Sequence, residues 1–142
     1  MTHTGAISHI SLSSSDYEAS KTFYSFLLVD LMGYKRVMDM PYCTMWALPT
    51  GEVVCVSPGN KTPHHKNNPG LNHLAFHTAT PGLVDEFYAK IVEFQAAHKE
   101  MTASVILDKP APYPQYGEGY YAVFFTDPDN IKLELCYEPP RF

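Results

Sequence analysis

A histidine on a short apolar stretch occurs twice in this chain, 64 positions apart, and that recurrence restricts the available folds more than any other feature. His9 lies in Ile7-Ser-His-Ile-Ser-Leu12 and His73 in Gly70-Leu-Asn-His-Leu-Ala-Phe-His77. The same shift lays Ile10 on Leu74 and Phe23-Tyr24 on Phe87-Tyr88. A chain that repeats itself at this period is built from two copies of one supersecondary unit.

Both stretches read as strands. At period two, Leu74 and Phe76 point one way and His73, Ala75 and His77 the other, so both histidines face away from the core. His9 stands in the same relation to Ile10 and Leu12. A polar side chain repeated on the open face of an apolar strand marks a candidate site.

After the first strand, Ser15 precedes Glu18 by three residues, the spacing of a capping box, and predicts a helix from about Asp16. Ala19, Phe23, Phe26 and Leu27 form its apolar stripe, which fades toward a turn at residues 30–33. Three extended runs follow at 34–40, 42–48 and 52–57, divided by Pro41 and by Pro49-Thr-Gly51. The first module, residues 1–57, therefore reads β-α-β-β-β. Residues 58–70 have the Pro, Gly and Asn content of a surface connection, in which His64 and His65 read as solvated loop residues.

The second module, residues 71–142, starts in the same way. Thr80 supplies an N-cap and Pro81 the first helical position, with Leu83, Val84, Phe87, Ile91 and Phe94 as the buried face. Residues 104–107 read as a strand and 108–119 as a Pro/Gly-rich loop, which either covers a binding site or is a plain surface excursion. Residues 120–126 and 131–137 form a hairpin around Asp127-Pro-Asp-Asn130. On the last strand Ile131, Leu133, Leu135 and Tyr137 take one face and Lys132, Glu134 and Cys136 the other.

Glu134 stands out in a strand this apolar. A buried carboxylate without a partner or a cation would shift its pKa and neutralise. With His9 and His73 on equivalent strands, two imidazoles and one carboxylate make a donor set for a borderline divalent ion, with positions left open for water or substrate. Taken singly, each is equally a hydrogen-bonded strand histidine or a solvated carboxylate; the duplicated register is what favours a metal site.

Composition narrows the function. The 142 residues carry a net charge of −5 and no Lys/Arg cluster longer than a pair, so a nucleic-acid or anionic-membrane footprint is not expected. No apolar run reaches the roughly 18 residues of a membrane span, and the start of the chain lacks signal-peptide character, so a cytoplasmic address is expected. Cys43, Cys55 and Cys136 show no metal-knuckle spacing and read as buried free thiols.

The doubled β-α-β-β-β pattern, a histidine on the first strand of each module, and F-x-D-P-D-x-x-x-L-E-L at residues 125–135 resemble the vicinal oxygen chelate superfamily. Its members include glyoxalase I, extradiol dioxygenases, fosfomycin-modifying enzymes and bleomycin-resistance proteins. The resemblance implies an α+β fold in which two paired βαβββ modules form a curved, cup-shaped mixed sheet. It implies a divalent ion (iron, manganese, zinc, nickel or cobalt) held by His9, His73 and Glu134, a small-molecule substrate and a homodimer. The fourth-ligand position of glyoxalase I falls on Cys55 or a neighbour, where no carboxylate stands. The active-site tyrosine of extradiol dioxygenases falls on Phe124, which cannot donate a hydrogen bond.

The resulting expectation is a metal-dependent lyase or isomerase acting on a substrate with adjacent oxygens. An extradiol-type dioxygenase and a non-catalytic small-molecule binding and resistance protein are the alternatives. Glu134 and His77 are the candidate proton-transfer groups, and Cys55, Tyr113, Tyr116, Tyr120 and Phe124 the candidate substrate-binding residues.

Overall fold

Each copy of the repeat folds into a four-stranded mixed sheet with one long helix on one face. The computed structural model describes residues 3–101 and 105–140, and contacts divide the chain into two units, residues 1–62 and 63–142.

In the first unit, β1 (His9–Ser14) leads into α1 (Tyr17–Tyr24), then β2 (Lys35–Met40), β3 (Cys43–Ala47) and β4 (Val53–Pro58). The sheet order is β1-β4-β3-β2, with β1 parallel to β4 and the other pairs antiparallel. Asp16 caps α1 by accepting the Ala19 amide at 3.1 Å, one residue after the serine of the anticipated capping box. The helix continues as a π-helical segment over Ser25–Leu31, a widening that period-3.6 reasoning does not anticipate. Phe23, Tyr24, Leu27 and Leu28 are buried, as are Leu12, Trp46, Val54 and Val56 of the sheet. Burial of this apolar surface at roughly 25 cal/mol per Å² is what holds the helix to the sheet. Strand β2 is exposed along its whole length, as an edge strand is, and Lys35, Arg36 and Asp39 with a bulge after Arg36 guard that edge.

The second unit repeats the plan with β5 (Leu74–His77), α2 (Pro81–Ala97), β6 (Ile106–Pro112), β7 (Tyr121–Thr126) and β8 (Lys132–Tyr137) in the order β5-β8-β7-β6. Thr80 accepts the Leu83 amide at 3.2 Å as the N-cap of α2. Val84, Ile91 and Phe94 of α2 are buried, as are Phe76, Val123, Phe125, Leu133 and Leu135, while Leu83 and Phe87 are half-buried. The hairpin between β7 and β8 is closed by Asp127, whose carboxylate accepts the amides of Asp129 at 2.8 Å and Ile131 at 2.9 Å. Asn130 takes the left-handed conformation, φ 65°, that asparagine tolerates better than other non-glycine residues.

Three expectations need correction. The segment 108–119 is not all loop: β6 runs through Pro110 to Pro112 before a single 3-10 turn at Pro114–Tyr116. It can do so because β6 is the outermost strand and is interrupted by bulges, where a missing amide donor costs little. The anticipated start of this strand at Ser104 lies outside the described residues. Cys43 is half-buried rather than buried, unlike Cys55 and Cys136. Finally, β5 begins at Leu74, so His73 stands just before the strand and not within it.

Candidate functional site

The register of the second sheet assembles a polar group on an otherwise apolar face. Glu134 of β8 lies between Ala75 of β5 and Phe124 of β7, and Cys136 lies between His77 and Ala122. Alternation along β8 sends Leu133 and Leu135 toward the helix and leaves Lys132, Glu134 and Cys136 on the opposite, open face. Glu134 is only 3% exposed, so its carboxylate has left water and must be compensated by neighbours.

Two neighbours meet it. Tyr120 donates its hydroxyl to Glu134 Oε1 at 2.5 Å, in the range of a charge-assisted O–H to carboxylate bond. His73 Nε2 stands 3.2 Å from the other oxygen, Oε2. Burial, with the hydrogen bonds to Cys136 and Glu134 and the carboxylate's charge, pushes the Tyr120 phenol far above its usual value. Tyr120 therefore keeps its proton and acts only as a donor toward the carboxylate. Burial likewise raises the Cys136 thiol, the Tyr120 hydroxyl pulling the other way, which leaves a neutral, poorly nucleophilic sulfur beneath the site.

Asn72 orients the ring of His73. Its Nδ2 donates to the Lys66 carbonyl at 3.4 Å, which turns Oδ1 toward His73 Nδ1 at 2.7 Å. An acceptor at Nδ1 places the ring proton there. In the neutral tautomer the Nε2 lone pair then points at a carboxylate oxygen, two acceptors face to face. Only a proton or a cation between them makes that arrangement favourable.

The donor set fits a divalent ion. Two ligands bound at roughly 2.1 Å to one tetrahedral or octahedral ion lie about 3.0 to 3.4 Å apart, which brackets the observed 3.2 Å. A histidine whose far nitrogen donates to an amide oxygen, and a carboxylate held by a phenol, also have the outer-shell support that metal ligands ordinarily have. Among the described residues no three His, Cys, Asp or Glu side chains are grouped as a metal cluster; His73 and Glu134 make the pair.

Aromatic rings cluster around Tyr120 and Phe124. Tyr113 meets Phe124 edge-on with ring centres 5.4 Å apart and stacks on Tyr116 at 5.6 Å, and Tyr116 meets the edge of Tyr120 at 5.5 Å. Phe124 also takes the edge of His73 at 6.3 Å. Beyond Tyr120, a cavity of about 520 Å³ is lined by Tyr116, Tyr120, Pro139 and the chain around Gly119. Gly119 has φ +79°, and a Cβ there would come within 2.9 Å of Pro139 Cγ, so the cavity wall requires glycine at this point. His77 is exposed on the Glu134 face, across from Cys136.

His9 and Cys55 belong to the first unit. His9 is exposed at the start of β1, its Nδ1 sharing a hydrogen bond with Ser8 Oγ at 3.0 Å. Cys55 pairs with Ser11, which the repeat lays on Ala75, the partner of Glu134. Cys55 is thus the counterpart of Glu134 in its own sheet. Burial, with the Cys43 thiol beside it, raises its pKa and keeps it a thiol. Glu52, just before β4, accepts the Thr50 hydroxyl.

Of the residues singled out in the sequence, the structure brings His73, Glu134, Tyr113, Tyr116, Tyr120 and Phe124 together; the sequence reading gave Tyr120 only the pocket mouth and passed over Asn72. The hydroxyl that meets Glu134 comes from Tyr120, four positions before Phe124. Asn72 could have been noticed as the amide side chain beside the histidine.

The model of the Glyoxalase/Bleomycin resistance protein/Dioxygenase superfamily matches residues 6–135. The chain belongs to this superfamily. An uncharacterized protein of Bacillus subtilis (strain 168), YqjT, is 35% identical over 130 residues, covering 89% of this chain and 94% of YqjT. The crystal structure of a candidate glyoxalase from Bacillus halodurans superposes with a TM-score of 0.76 at 26% identity, covering 95% of this chain and 97% of that one. The fosfomycin resistance protein FosX of Listeria monocytogenes shares the fold, with a TM-score of 0.68 at 22% identity over 96% of this chain and 95% of its own. The α+β glyoxalase fold, two four-stranded mixed sheets each with a helix, is therefore the fold of this chain.

Proposed function

We propose that this superfamily member is a metal-dependent lyase or isomerase acting on a small organic molecule with adjacent oxygens. The observation that carries the reading is His73 Nε2 standing 3.2 Å from an oxygen of the buried Glu134 carboxylate, a pair of donor atoms that a divalent cation would bridge. His73 and Glu134 would hold the ion, with the remaining positions open to water and substrate. Bound there, a divalent ion supplies Lewis-acid stabilisation of developing oxyanion charge.

The chain's own groups do the rest. Asn72 fixes the ring of His73, and Tyr120 holds one oxygen of Glu134 by donating to it. Because Tyr120 retains its proton, the base must be sought elsewhere, and His77, exposed on the same face, fits the role of moving a proton to or from substrate. Phe124, Tyr113 and Tyr116 keep water from one side of the carboxylate and offer apolar surface to the substrate.

Metal analysis of protein purified without added metal is the first test, followed by assays of hemithioacetals and other adjacent-oxygen substrates with that ion restored. About one ion per chain, and turnover that returns only with the ion, are expected. A chain that binds no divalent ion at micromolar concentration would overturn the reading. Tyr120→Phe should keep the fold and weaken ion affinity roughly tenfold, as loss of outer-shell support commonly does; unchanged affinity would remove Tyr120 from the site.

One observation favours a second reading, ring cleavage by an extradiol-type dioxygenase. The Tyr120 hydroxyl at Glu134 supplies the phenolic donor that Phe124 cannot. Anaerobic loading with Fe(II), then exposure to air with a panel of catechols, separates the two: rapid oxygen uptake with a yellow product supports cleavage, and no uptake supports the lyase reading. The proposal also includes a homodimer, expected in light scattering at twice the 16.0 kDa of one chain.

A further inference from the structure

At the hairpin end of β7 and β8, away from the aromatic cavity, lies a second and smaller cavity of about 140 Å³, lined by His65, Lys66, Leu107, Thr126, Asn130 and Lys132. Its charged and polar residues are His65, Lys66, Thr126, Asn130 and Lys132. Lys66 and Lys132 both contribute to its lining, and no Asp or Glu does. Lys132 and Lys66 form no ion pair among the described residues. His65 Nδ1 accepts the Asn67 amide at 3.1 Å, so the ring's other nitrogen carries the proton in the neutral tautomer and donates whether or not the ring is charged. Lys132 is half-buried, with Nζ 4.5 Å from the centre of the Phe124 ring, which holds its long stem along the sheet.

The cavity is tied to the candidate site at two points. Lys132 precedes Glu134 by two residues on the same face of β8, roughly 7 Å along the strand. Asn72, which orients the ring of His73, donates its Nδ2 to the carbonyl of Lys66, so the loop bearing two of the cavity's donors is hydrogen-bonded to the residue that orients the ligand. We infer that this cavity holds the anionic group of the substrate, a phosphate, phosphonate or carboxylate, about one strand pleat from the adjacent oxygens at His73 and Glu134. The inference rests on the metal-site reading for its chemistry and narrows the substrate class to small organic anions. The volume suits a single oxyanion, and the rest of the molecule then lies along β8 toward Glu134.

Titration of the full-length, chelator-treated chain with inorganic phosphate, methylphosphonate and acetate tests it, followed by calorimetry and by amide shifts in NMR. Saturable binding is expected with shifts at His65, Lys66 and Lys132, and the preferred probe identifies the anion type. Lys132→Met keeps the stem over Phe124 and removes the charge; it should raise the dissociation constant roughly tenfold or more, as loss of a charge-assisted hydrogen bond does. Glu134→Gln should leave anion binding intact while weakening metal binding, and Lys132→Met should do the reverse. Absence of saturable binding by all three probes, unchanged affinity in Lys132→Met, or loss of anion binding in Glu134→Gln would each overturn the inference. Metal binding in the same variants reports on the metal-site reading separately.

Discussion

Replacing Glu134 by glutamine is expected to lower divalent-ion affinity by at least about a hundredfold, and turnover with it, while the fold persists. The substitution keeps the side chain's shape and removes only its charge. Tyr120 can still donate to the amide oxygen, so the buried group is not left without a partner. What is lost is the negative charge facing His73 Nε2. The amide NH₂ would then donate to that nitrogen, satisfying the lone pair without any cation. The variant should therefore fold as well as the parent, or slightly better, because burying a neutral amide costs less than burying a carboxylate. Calorimetric titration with zinc, manganese and iron(II), beside thermal unfolding of the ion-free protein, checks both halves. Full metal content in Glu134→Gln would sink the site.

The largest effect on stability is expected at the single tryptophan. Trp46 of β3 is fully buried, with its ring 6.3 Å from that of Tyr24 on α1. Trp46→Ala should cost about 4 kcal/mol through lost burial and the cavity left behind, a large share of a stability that is typically 5–15 kcal/mol. The indole Nε1 finds no acceptor among the described residues. Trp46→Phe removes that unpaired donor together with part of the volume, so the relief of roughly 1–3 kcal/mol offsets part of the lost packing. Phenylalanine should therefore come out much closer to the parent than alanine. Urea unfolding followed by far-UV circular dichroism measures both, since either variant lacks the fluorescent reporter. Equal losses in the two variants would mean that the indole N–H is paired.

The elements were legible where a local rule and the repeat agreed. Thr80-Pro81 announced the start of α2, the Asp127 turn fixed the last hairpin, and a glutamate in an apolar strand announced that it needed company. Long-range consequences were less visible. Nothing local says that Tyr120, at the close of a Pro/Gly-rich segment, will reach back to Glu134; that follows from the β7–β8 register and the turn of the chain before it. The strand through Pro110 and Pro112 was obscured for the same reason, because its tolerance of proline comes from lying at the sheet's edge. The π-helical segment after α1 widens a stripe that still reads as ordinary helix.

The equivalence of Cys55 with Glu134 bears on how such a chain diversifies. The duplicated strand quartet holds two copies of one position, and only one of them carries an acid. The thiol copy is sheltered, kept protonated by its surroundings, and so is chemically silent. Exchange of that residue for an acidic one would give the first sheet the same histidine-and-carboxylate pairing across neighbouring strands, with no change of backbone. A spare position of this kind lets a lineage gain or lose a ligand by substitution alone, so that members of one fold can part company in chemistry while their architecture stays put.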